Sequence, residues 1–185
     1  MARLAVLASG NGSNFEALVR AARDAGHQAV LLICDKPGAY CLERAERLGV
    51  PARLIQYGGR PRAQAEADIT AALEDAGADL VALAGFMRLL GRPVIERWRG
   101  RILNVHPSLL PAWAGVDSIR RAYEAGEPVL GVTVHQVDEG MDTGPVLGQE
   151  RVGRAATLAE TESLIHQAEH RLYARLVVEL LDEVD

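Results

Sequence analysis

A repeated alternation of short apolar runs with stretches of helical periodicity is the feature that most constrains the fold of this sequence. The first run, Arg3–Ala8, is apolar at almost every position, as expected for a parallel strand that is buried on both faces. Further runs of strand length occur at Gln28–Cys34, Ala52–Ile55, Asp79–Ala84 and from Arg101 onward. Strands that alternate with helices form βαβ units with right-handed crossovers. The pattern therefore predicts a Rossmann-like α/β fold, a mostly parallel β-sheet flanked by helices on both faces.

The segments between these runs are predicted to be helices. One begins at Phe15 and is stopped by Gly26, and the others are Tyr40–Leu48, Pro61–Ala76, Pro93–Arg99, Asp117–Ala125 and Thr157–Leu181. Near the C-terminal end, Val129–Val137 and Pro145–Val152 have β character and are separated by a short turn, which predicts an added antiparallel strand pair. Because the sequence has no internal repeats, linkers or low-complexity tracts, residues 1–185 are expected to form a single domain.

Charge and composition argue against several functional classes. The net charge is −5 with acidic and basic residues interspersed, which does not favour nucleic-acid binding. No apolar run reaches the ~20 residues that a membrane-spanning helix needs, and Gly10-Asn11-Gly12 interrupts the N-terminal run before a signal peptide could form. Cys34 and Cys41 are too few for a disulfide framework and match no common zinc spacing. We therefore expect a cytoplasmic protein with reduced cysteines and no metal, nucleic-acid or membrane partner.

Three loops follow predicted strands and should meet at one edge of the sheet: Ser9–Asn14, Gly85–Leu90 and Asn104–Ser108. In open α/β sheets, ligands bind beyond the carboxyl ends of the strands. This edge is therefore the predicted site.

The first of these loops, S-G-N-G-S-N, lies between a strand and a helix. Such a turn can direct backbone N–H groups and the positive end of a helix dipole at an anion, and Ser13 or Asn14 is predicted to cap the helix. The motif is neither a Walker sequence nor G-x-G-x-x-G. The residues alone fit a phosphate site and a plain strand-to-helix turn equally well.

The second loop, Gly85–Leu90, is almost entirely apolar, although loops normally lie on the surface. Its side chains must either pack inward or line an apolar cleft. The residues by themselves favour inward packing.

The third loop follows a strand that ends with Asn104 and His106. Residues two apart in a strand project to the same side, so the amide and the imidazole are expected to lie together. Pro107 cannot donate to a sheet ladder and ends the strand. An imidazole can donate a proton to an oxygen that gains negative charge, and an amide can hold the same oxygen.

Asp142 is the candidate third member of this group, although two acids and two glycines in Asp138–Gly144 more often form an exposed turn. Near His106, its carboxylate would favour the imidazolium. The set suits acyl transfer to an external nucleophile, since Ser108 lacks a Gly-x-Ser-x-Gly elbow. His135 is predicted to be a packed or structural histidine. A metal site of His106, His135 and Asp142 is disfavoured because it has no recognised ligand spacing.

Longer motifs carry a resemblance that runs from residue 3 to about residue 173. They are S-G-N-G-S-N at 9–14, A-G-F-M-R-L-L at 84–90, N-V-H-P-S-L-L-P at 104–111, V-H-Q-V-D-E-G-M-D-T-G-P at 134–145 and A-E-H at 168–170. On these motifs the sequence resembles the glycinamide ribonucleotide formyltransferases, a family of folate-dependent enzymes of purine synthesis. The third motif is shared with folate formyltransferases and hydrolases in general, whereas the first is more selective.

The resemblance implies roles for individual residues. The catalytic residues would be Asn104, His106 and Asp142. The residues that contact the ribonucleotide substrate would be Gly12, Ser13 and Asn14 at its phosphate, with His166 and Glu169 near its ribose hydroxyls. The residues that contact the folate would be Arg62 at its carboxylate tail, and Met87, Arg88, Leu89, Leu90, Asn104, Asp138, Glu139, Gly140 and Met141.

The resemblance also implies a reaction. An enzyme of this family would transfer the formyl group of 10-formyltetrahydrofolate to the amino group of glycinamide ribonucleotide, giving formylglycinamide ribonucleotide and tetrahydrofolate. Its partners would be these small molecules, and the protein would be a monomer or homodimer. The alternatives are a 10-formyltetrahydrofolate hydrolase that releases formate, and a non-catalytic nucleotide-binding regulator.

The sequence departs from the family pattern outside the catalytic residues. Ala112–Gly115 stands where the family usually has an aromatic residue, proline and glycine, and Val116–Ile119 also differs. Because these residues border the expected nucleotide site, the conformation of the 112–118 loop is not given by the resemblance. Tyr173-Ala174 replaces an aromatic-proline pair in the last helix.

Overall fold

The computed structural model describes residues 1–184, in which seven strands form one sheet. The strands are β1 (Arg3–Ala8), β2 (Gln28–Cys34), β3 (Ala52–Leu54), β4 (Leu80–Leu83), β5 (Ile102–His106), β6 (Val129–Gln136) and β7 (Val146–Gly153). Their order across the sheet is β3-β2-β1-β4-β5-β6-β7. The first five strands are parallel, whereas β6 runs antiparallel to both β5 and β7. The predicted fold class is confirmed, including the antiparallel addition.

The helices flank this sheet at the positions that the periodicity predicts. They are α1 (Ser13–Asp24), α2 (Tyr40–Leu48), α3 (Arg62–Asp75), α4 (Arg92–Arg97), α5 (Ser118–Glu124) and α6 (Leu158–Val184). The largest difference from the predicted bounds is at α6, which continues three residues beyond Leu181. Within residues 1–184, no helix has both the length and the apolar character needed to cross a membrane.

Alternate residues of the central strand face two separate cores, which explains why β1 is apolar throughout. Leu4, Val6 and Ala8 pack into the core that contains residues of α1, α2 and α6. Ala5 and Leu7 pack into the opposite core, which contains residues of α3 and α4. A strand that is buried on both faces cannot alternate between apolar and polar residues.

The strand order creates a crevice at the centre of the sheet. After β1 the chain moves outward to β2 and β3, and it then returns to place β4 on the other side of β1. This reversal is the topological switch point at which open α/β sheets bind ligands. Next to it, β6 pairs with β5 so that His135 lies opposite Asn104.

Helix α6 is attached to this central part of the sheet through Tyr173. The ring is completely buried, and the hydroxyl lies 3.0 Å from the carbonyl oxygens of both Leu83 and Leu103. These two residues belong to the neighbouring strands β4 and β5. Tyr173, the aromatic residue of the Tyr173-Ala174 pair, therefore has a structural role here.

We expect Tyr173→Phe to lower the free energy of unfolding by about 1–2 kcal/mol, because the ring still fills its space while a buried hydrogen bond is lost. Urea unfolding followed by circular dichroism measures this change. Tyr40→Phe is the matched control, because the Tyr40 side chain is exposed and its ring contacts with Arg44 and Arg47 do not need the hydroxyl. Equal stabilities for the two variants would contradict the proposed role of the Tyr173 hydroxyl.

Candidate active site

A cavity of about 790 Å³ lies at the carboxyl ends of the parallel strands. The three loops predicted to meet, Ser9–Asn14, Gly85–Leu90 and Asn104–Ser108, all contribute to its wall. Two of them are joined directly, since the Met87 amide donates to Ser9 Oγ at 2.8 Å. The prediction that these loops form one edge is confirmed.

Asn104, His106 and Asp142 meet in this cavity, as predicted. Asn104 Nδ2 lies 3.5 Å from Asp142 Oδ1, and His106 Nδ1 lies 3.3 Å from Asp142 Oδ2. The first two residues come from the end of β5, whereas Asp142 reaches them from the loop between β6 and β7. Asp142 adopts a φ of 56° and its side chain is only 11% exposed, so it does not belong to an ordinary exposed turn.

Both ring nitrogens of His106 face oxygen atoms that can accept a hydrogen bond. Nδ1 faces the Asp142 carboxylate, and Nε2 lies 3.2 Å from the Trp113 carbonyl oxygen. Because neither acceptor can donate a proton, the doubly protonated imidazolium satisfies both contacts. His106 is therefore arranged as a proton donor.

His135 also belongs to this group, a role that the sequence reasoning missed. It is buried, as predicted for a packed histidine, but its Nε2 lies 3.2 Å from Asn104 Nδ2 and 3.6 Å from Asp142 Oδ1. Its Nδ1 donates to the Gln136 carbonyl oxygen at 2.8 Å, which fixes the ring. The sequence placed His135 on a strand, two residues past Thr133. That position does not indicate which strand is its neighbour in the sheet, and so it could not bring His135 to Asn104.

The surroundings of Asp142 favour its ionised form. Hydrogen bonding to His135 holds the pKa of this carboxyl below its usual range, helped by the charge of His106 and by the Gly115 amide at 3.1 Å, while burial opposes them. Because folding lowers this pKa, the contacts stabilise the protein above the unfolded pKa of about 4 and are lost as the pH falls through the folded value. Asp142 is therefore a carboxylate at neutral pH.

The first loop ends in the amino terminus of α1. Gly12 is the N-cap with a φ of 76°, and no side chain caps the helix, so the prediction of a Ser13 or Asn14 cap is wrong. A Cβ at Gly12 would lie only 2.6 Å from Cys41 Cβ, which leaves room for glycine alone. The first helical bond runs from the Glu16 amide to the Gly12 carbonyl oxygen. The backbone N–H groups before Glu16 have no acceptor within the helix, so they are suited to bind an anion.

Helix α6 brings its own polar residues to this loop. Glu169 Oε2 accepts hydrogen bonds from Asn14 Nδ2 at 3.2 Å and from His166 Nδ1 at 2.9 Å. Glu169 is buried, whereas His166 is exposed towards the cavity. His170 Nε2 lies 3.2 Å from Ser13 Oγ, so His170 also contacts this loop. It was not among the predicted site residues.

The apolar loop after β4 divides its side chains between the core and the cavity. Phe86 and Leu90 are buried in the core on the α3–α4 side of the sheet. Met87 and Leu89 are 63% and 55% exposed, and both line the cavity. Inward packing therefore holds for Phe86 and Leu90 at the ends of the loop, and cleft lining holds for Met87 and Leu89 between them.

The two arginines assigned to the folate have partners within the protein. Arg88 Nε donates to Asp35 Oδ2 at 2.8 Å. Arg62 donates to Glu66 Oε1 and to the Leu89 carbonyl oxygen, each at 2.6 Å. Arg88 lines the cavity, whereas Arg62 lies outside its wall.

The loop between β6 and β7 closes another side of the cavity. Asp138, Glu139, Gly140 and Met141 all line it. Asp138 Oδ1 accepts from the Gly140 amide at 3.0 Å and from Thr143 Oγ1 at 2.7 Å, so it shapes this turn. Met141 is 52% exposed and adds apolar surface to the wall.

The atypical 112–118 segment has a defined conformation in the structure. Arg121 donates from its guanidinium to the carbonyl oxygens of Trp113, Ala114 and Val116 at distances of 3.2, 2.6 and 3.0 Å. The segment thereby presents the Trp113 carbonyl to His106 and the Gly115 amide to Asp142. Its unusual sequence still completes the site.

Further residues line the cavity without having been predicted. Lys36 follows the carboxyl end of β2, at the same edge of the sheet as the other loops. Its position after a predicted strand could have marked it as a candidate. Arg120 and Glu162 come from α5 and α6, and nothing in their local sequence marks them. Within residues 1–184, no cluster of histidine, cysteine, aspartate and glutamate side chains could hold a metal ion.

Comparison with known proteins identifies the family. Residues 2–177 match the model of the formyl transferase family. The chain belongs to this family. Among formyl transferases, phosphoribosylglycinamide formyltransferase of Bacillus subtilis is 43% identical, over 98% of this chain and 95% of that protein. The human trifunctional purine biosynthetic protein adenosine-3 is 40% identical over 93% of this chain, which spans only 18% of that longer protein.

Solved formyl transferase structures share the whole fold. Glycinamide ribonucleotide transformylase 1 from Geobacillus kaustophilus is 47% identical and superposes with a TM-score of 0.93, covering 98% of this chain and 99% of that one. Phosphoribosylglycinamide formyltransferase from Bacillus halodurans has a TM-score of 0.93 at 39% identity, covering 99% of this chain and 97% of that one. The resemblance on which the sequence predictions rest is confirmed.

Glu169→Gln is expected to lower the pKa of His166. In the structure the hydrogen bond with Glu169 raises this pKa, and burial opposes the effect. Because folding raises the pKa, the contact stabilises the protein fully below the unfolded pKa of about 6.5 and is lost as the pH rises through the folded value. An NMR titration of the His166 ring measures the change. Glu183→Gln, at the far end of α6, should leave the titration unaltered; an unaltered titration in Glu169→Gln would contradict the prediction.

Proposed function

We propose that the protein transfers the formyl group of 10-formyltetrahydrofolate to the amino group of glycinamide ribonucleotide, giving formylglycinamide ribonucleotide and tetrahydrofolate. The observation that carries the proposal is one cavity that combines an anion-binding loop, an apolar wall and an acyl-transfer group. The first suits the ribonucleotide phosphate and the second suits the pterin ring. The third, formed by Asn104, His106 and Asp142, lines the same cavity. The names of the relatives support the same reaction.

The cavity has the chemistry that both substrates require. Its volume of about 790 Å³ lies within the usual range for sites that bind small ligands. Met87, Leu89 and Met141 expose apolar side chains to it, and unbranched methionines adapt to flat ring systems. Asn14 Oδ1 is buried without a hydrogen-bond partner in residues 1–184, so a ligand hydroxyl could satisfy it.

Asn104 and His106 stabilise the charge that develops during transfer. When the glycinamide amine attacks the formyl carbon, the formyl oxygen becomes negative. The Asn104 amide and the Nε2–H of His106 donate to this oxygen, the latter after release from the Trp113 carbonyl. His135 Nε2 lies 3.2 Å from Asn104 Nδ2, so the His135 ring packs beside this amide.

Asp142 maintains the charge of His106 and assists the proton transfer. Its lowered pKa keeps it ionised, and its 3.3 Å contact with Nδ1 favours the imidazolium. Through water it passes the proton that the attacking amine loses on to N10. The tetrahedral adduct then collapses: the bond between the formyl carbon and N10 breaks, and the formyl C=O bond forms again on the product amide. The external amine is the nucleophile, so no side chain needs to form a covalent intermediate.

We also infer one formyltransferase domain over residues 1–185 and a cytoplasmic location. The single seven-stranded sheet of residues 1–184 supports the first inference. The two thiols support the second: Cys34 and Cys41 lie with their sulfur atoms 3.6 Å apart and are not bonded, as is typical of a reducing compartment.

His106→Ala and Asp142→Ala are each expected to lower kcat at least about tenfold, with a smaller change in either KM, because they remove interactions that strengthen in the transition state. Steady-state formylation measured with both substrates checks this. Asp24→Asn, an exposed carboxylate at the end of α1, is the control and should retain wild-type kinetics. Wild-type kcat in both active-site variants would show that the assignment is wrong.

A second experiment separates the proposed transfer from its alternatives. With 10-formyltetrahydrofolate, turnover should require glycinamide ribonucleotide, and formylglycinamide ribonucleotide should appear in equal amount with tetrahydrofolate. Formate release without the ribonucleotide would indicate the hydrolase. Calorimetry that shows ribonucleotide binding without folate binding would indicate the regulator.

A further inference from the structure

Two buried carboxylates near the cavity have no part in the mechanism above. They are Asp35, at the end of β2, and Glu66, in the first turns of α3. Their side chains are 0% and 8% exposed. A buried carboxylate is costly unless it is paired and hydrogen-bonded, so their partners indicate what they do.

Asp35 holds the side chain of Arg88. Its Oδ2 accepts from Arg88 Nε at 2.8 Å, and the same guanidinium lies over the Tyr57 ring at 5.1 Å from the ring centre. Burial and then the charge of Glu66 raise the pKa of Tyr57 to about 12. Tyr57 is therefore neutral, and the arginine is held between an anion and an aromatic face.

Glu66 holds the backbone at the other end of the same loop. Its Oε1 accepts from the Gly91 amide at 2.8 Å and from Arg62 Nε at 2.6 Å. Arg62 in turn donates to the Leu89 carbonyl oxygen. The Arg62–Glu66 ion pair thus binds two backbone groups of the loop, the Leu89 carbonyl oxygen and the Gly91 amide.

Gly91 gives an independent indication that this contact is close. A Cβ built on it would overlap the Glu66 carboxylate. Its φ of −78° is one that any residue adopts, so the carboxylate and not the backbone requires glycine here. A methyl group at this position would displace Glu66.

Together these contacts fix the segment Phe86–Gly91 at four of its residues. The Met87 amide is bound to Ser9, Arg88 to Asp35, the Leu89 carbonyl to Arg62, and the Gly91 amide to Glu66. Between these points, Met87 and Leu89 direct exposed apolar side chains to the cavity. Exposed apolar side chains would otherwise tend to collapse onto each other, so their spacing depends on the attachments.

We propose that Asp35 and Glu66 are positioning residues that hold the Phe86–Gly91 loop open for the ring system of the formyl donor without touching it. The inference rests on the proposed function, because it assigns this wall to the donor. It also gives Arg62 and Arg88 a second role, as links between the buried carboxylates and the loop.

The test compares Asp35→Ala, Glu66→Ala and Gly91→Ala with the wild-type protein. Each variant should raise the KM for 10-formyltetrahydrofolate about tenfold, while kcat at saturation and the KM for glycinamide ribonucleotide change less than about twofold. Asp35→Asn and Glu66→Gln should retain part of the affinity, since their side-chain oxygens can still accept the same hydrogen bonds. Because Glu66 and Gly91 act through one contact, the double variant should be no worse than the poorer single variant.

Hydrogen exchange supplies a measurement that does not depend on activity. Amides of residues 86–91 should exchange at least about tenfold faster in the variants, with residues 9–14 unaffected. Asp68→Asn is the matched control, because this carboxylate lies on the same helix and pairs with Arg60 but is exposed. It should leave both the donor KM and the exchange unchanged.

The outcomes distinguish this inference from the proposed function. If the wild-type protein does not transfer the formyl group, the proposed function fails regardless of the variants. If it does, and folded variants keep the wild-type donor KM or lose both substrates equally, the positioning role is wrong. If Glu66→Ala does not fold, Gly91→Ala tests the same contact without removing either carboxylate from the sequence, and if Asp35→Ala does not fold, Asp35→Asn takes its place.

Discussion

The active site depends on the burial of one charge, the Asp142 carboxylate. A carboxylate that is mostly withdrawn from water must be paired, and this one contacts His106, His135, Asn104 and the Gly115 amide. These partners come from β5, β6 and the 112–118 segment, so the charge draws together parts of the chain that share no local sequence signal. The same contacts orient the His106 ring and the Asn104 amide. The contacts that pair the Asp142 charge are therefore the same contacts that bring Asn104 and His106 together with it.

In the rest of the cavity, hydrogen bonds from buried polar groups hold the loops in place, while the loops expose apolar side chains to the cavity. The loop after β4 exposes Met87 and Leu89 to the cavity, while hydrogen bonds to Asp35, Glu66 and Ser9 attach the loop behind them. On the other side, Gly12 allows the first loop to pass close to Cys41, and Glu169 holds Asn14. In both loops the groups that would contact substrate are oriented by buried groups behind them, which reduces the conformational freedom lost on binding.

Much of this arrangement could be predicted from local patterns and family motifs, and the failures have physical causes. The expected helix cap at Ser13 or Asn14 was wrong because Gly12, in a left-handed conformation, already serves as N-cap. His135 was judged from its own strand, whose pattern says that the ring is buried but not that Asn104 lies opposite on β5. Arg62 and Arg88 were assigned to the folate by the resemblance, Arg62 at the carboxylate tail and Arg88 within the loop around the pterin, and these assignments stay predictions. Their partners, Glu66 and Asp35, are acids that the sequence does not mark as buried.

The sequence by itself determined the order of strands and helices, the edge at which their loops meet, and the common direction of Asn104 and His106. These follow from periods of two and 3.6 residues and from the connection rules of βαβ units, which are local properties of a chain. Only the tertiary structure decided that Asp142, 38 residues beyond Asn104, reaches that pair and that Asp35 holds Arg88 across 53 residues. A residue pattern specifies which face of a strand is buried. Which strands become neighbours, and which buried charges must then be paired, depends on how the whole sheet assembles.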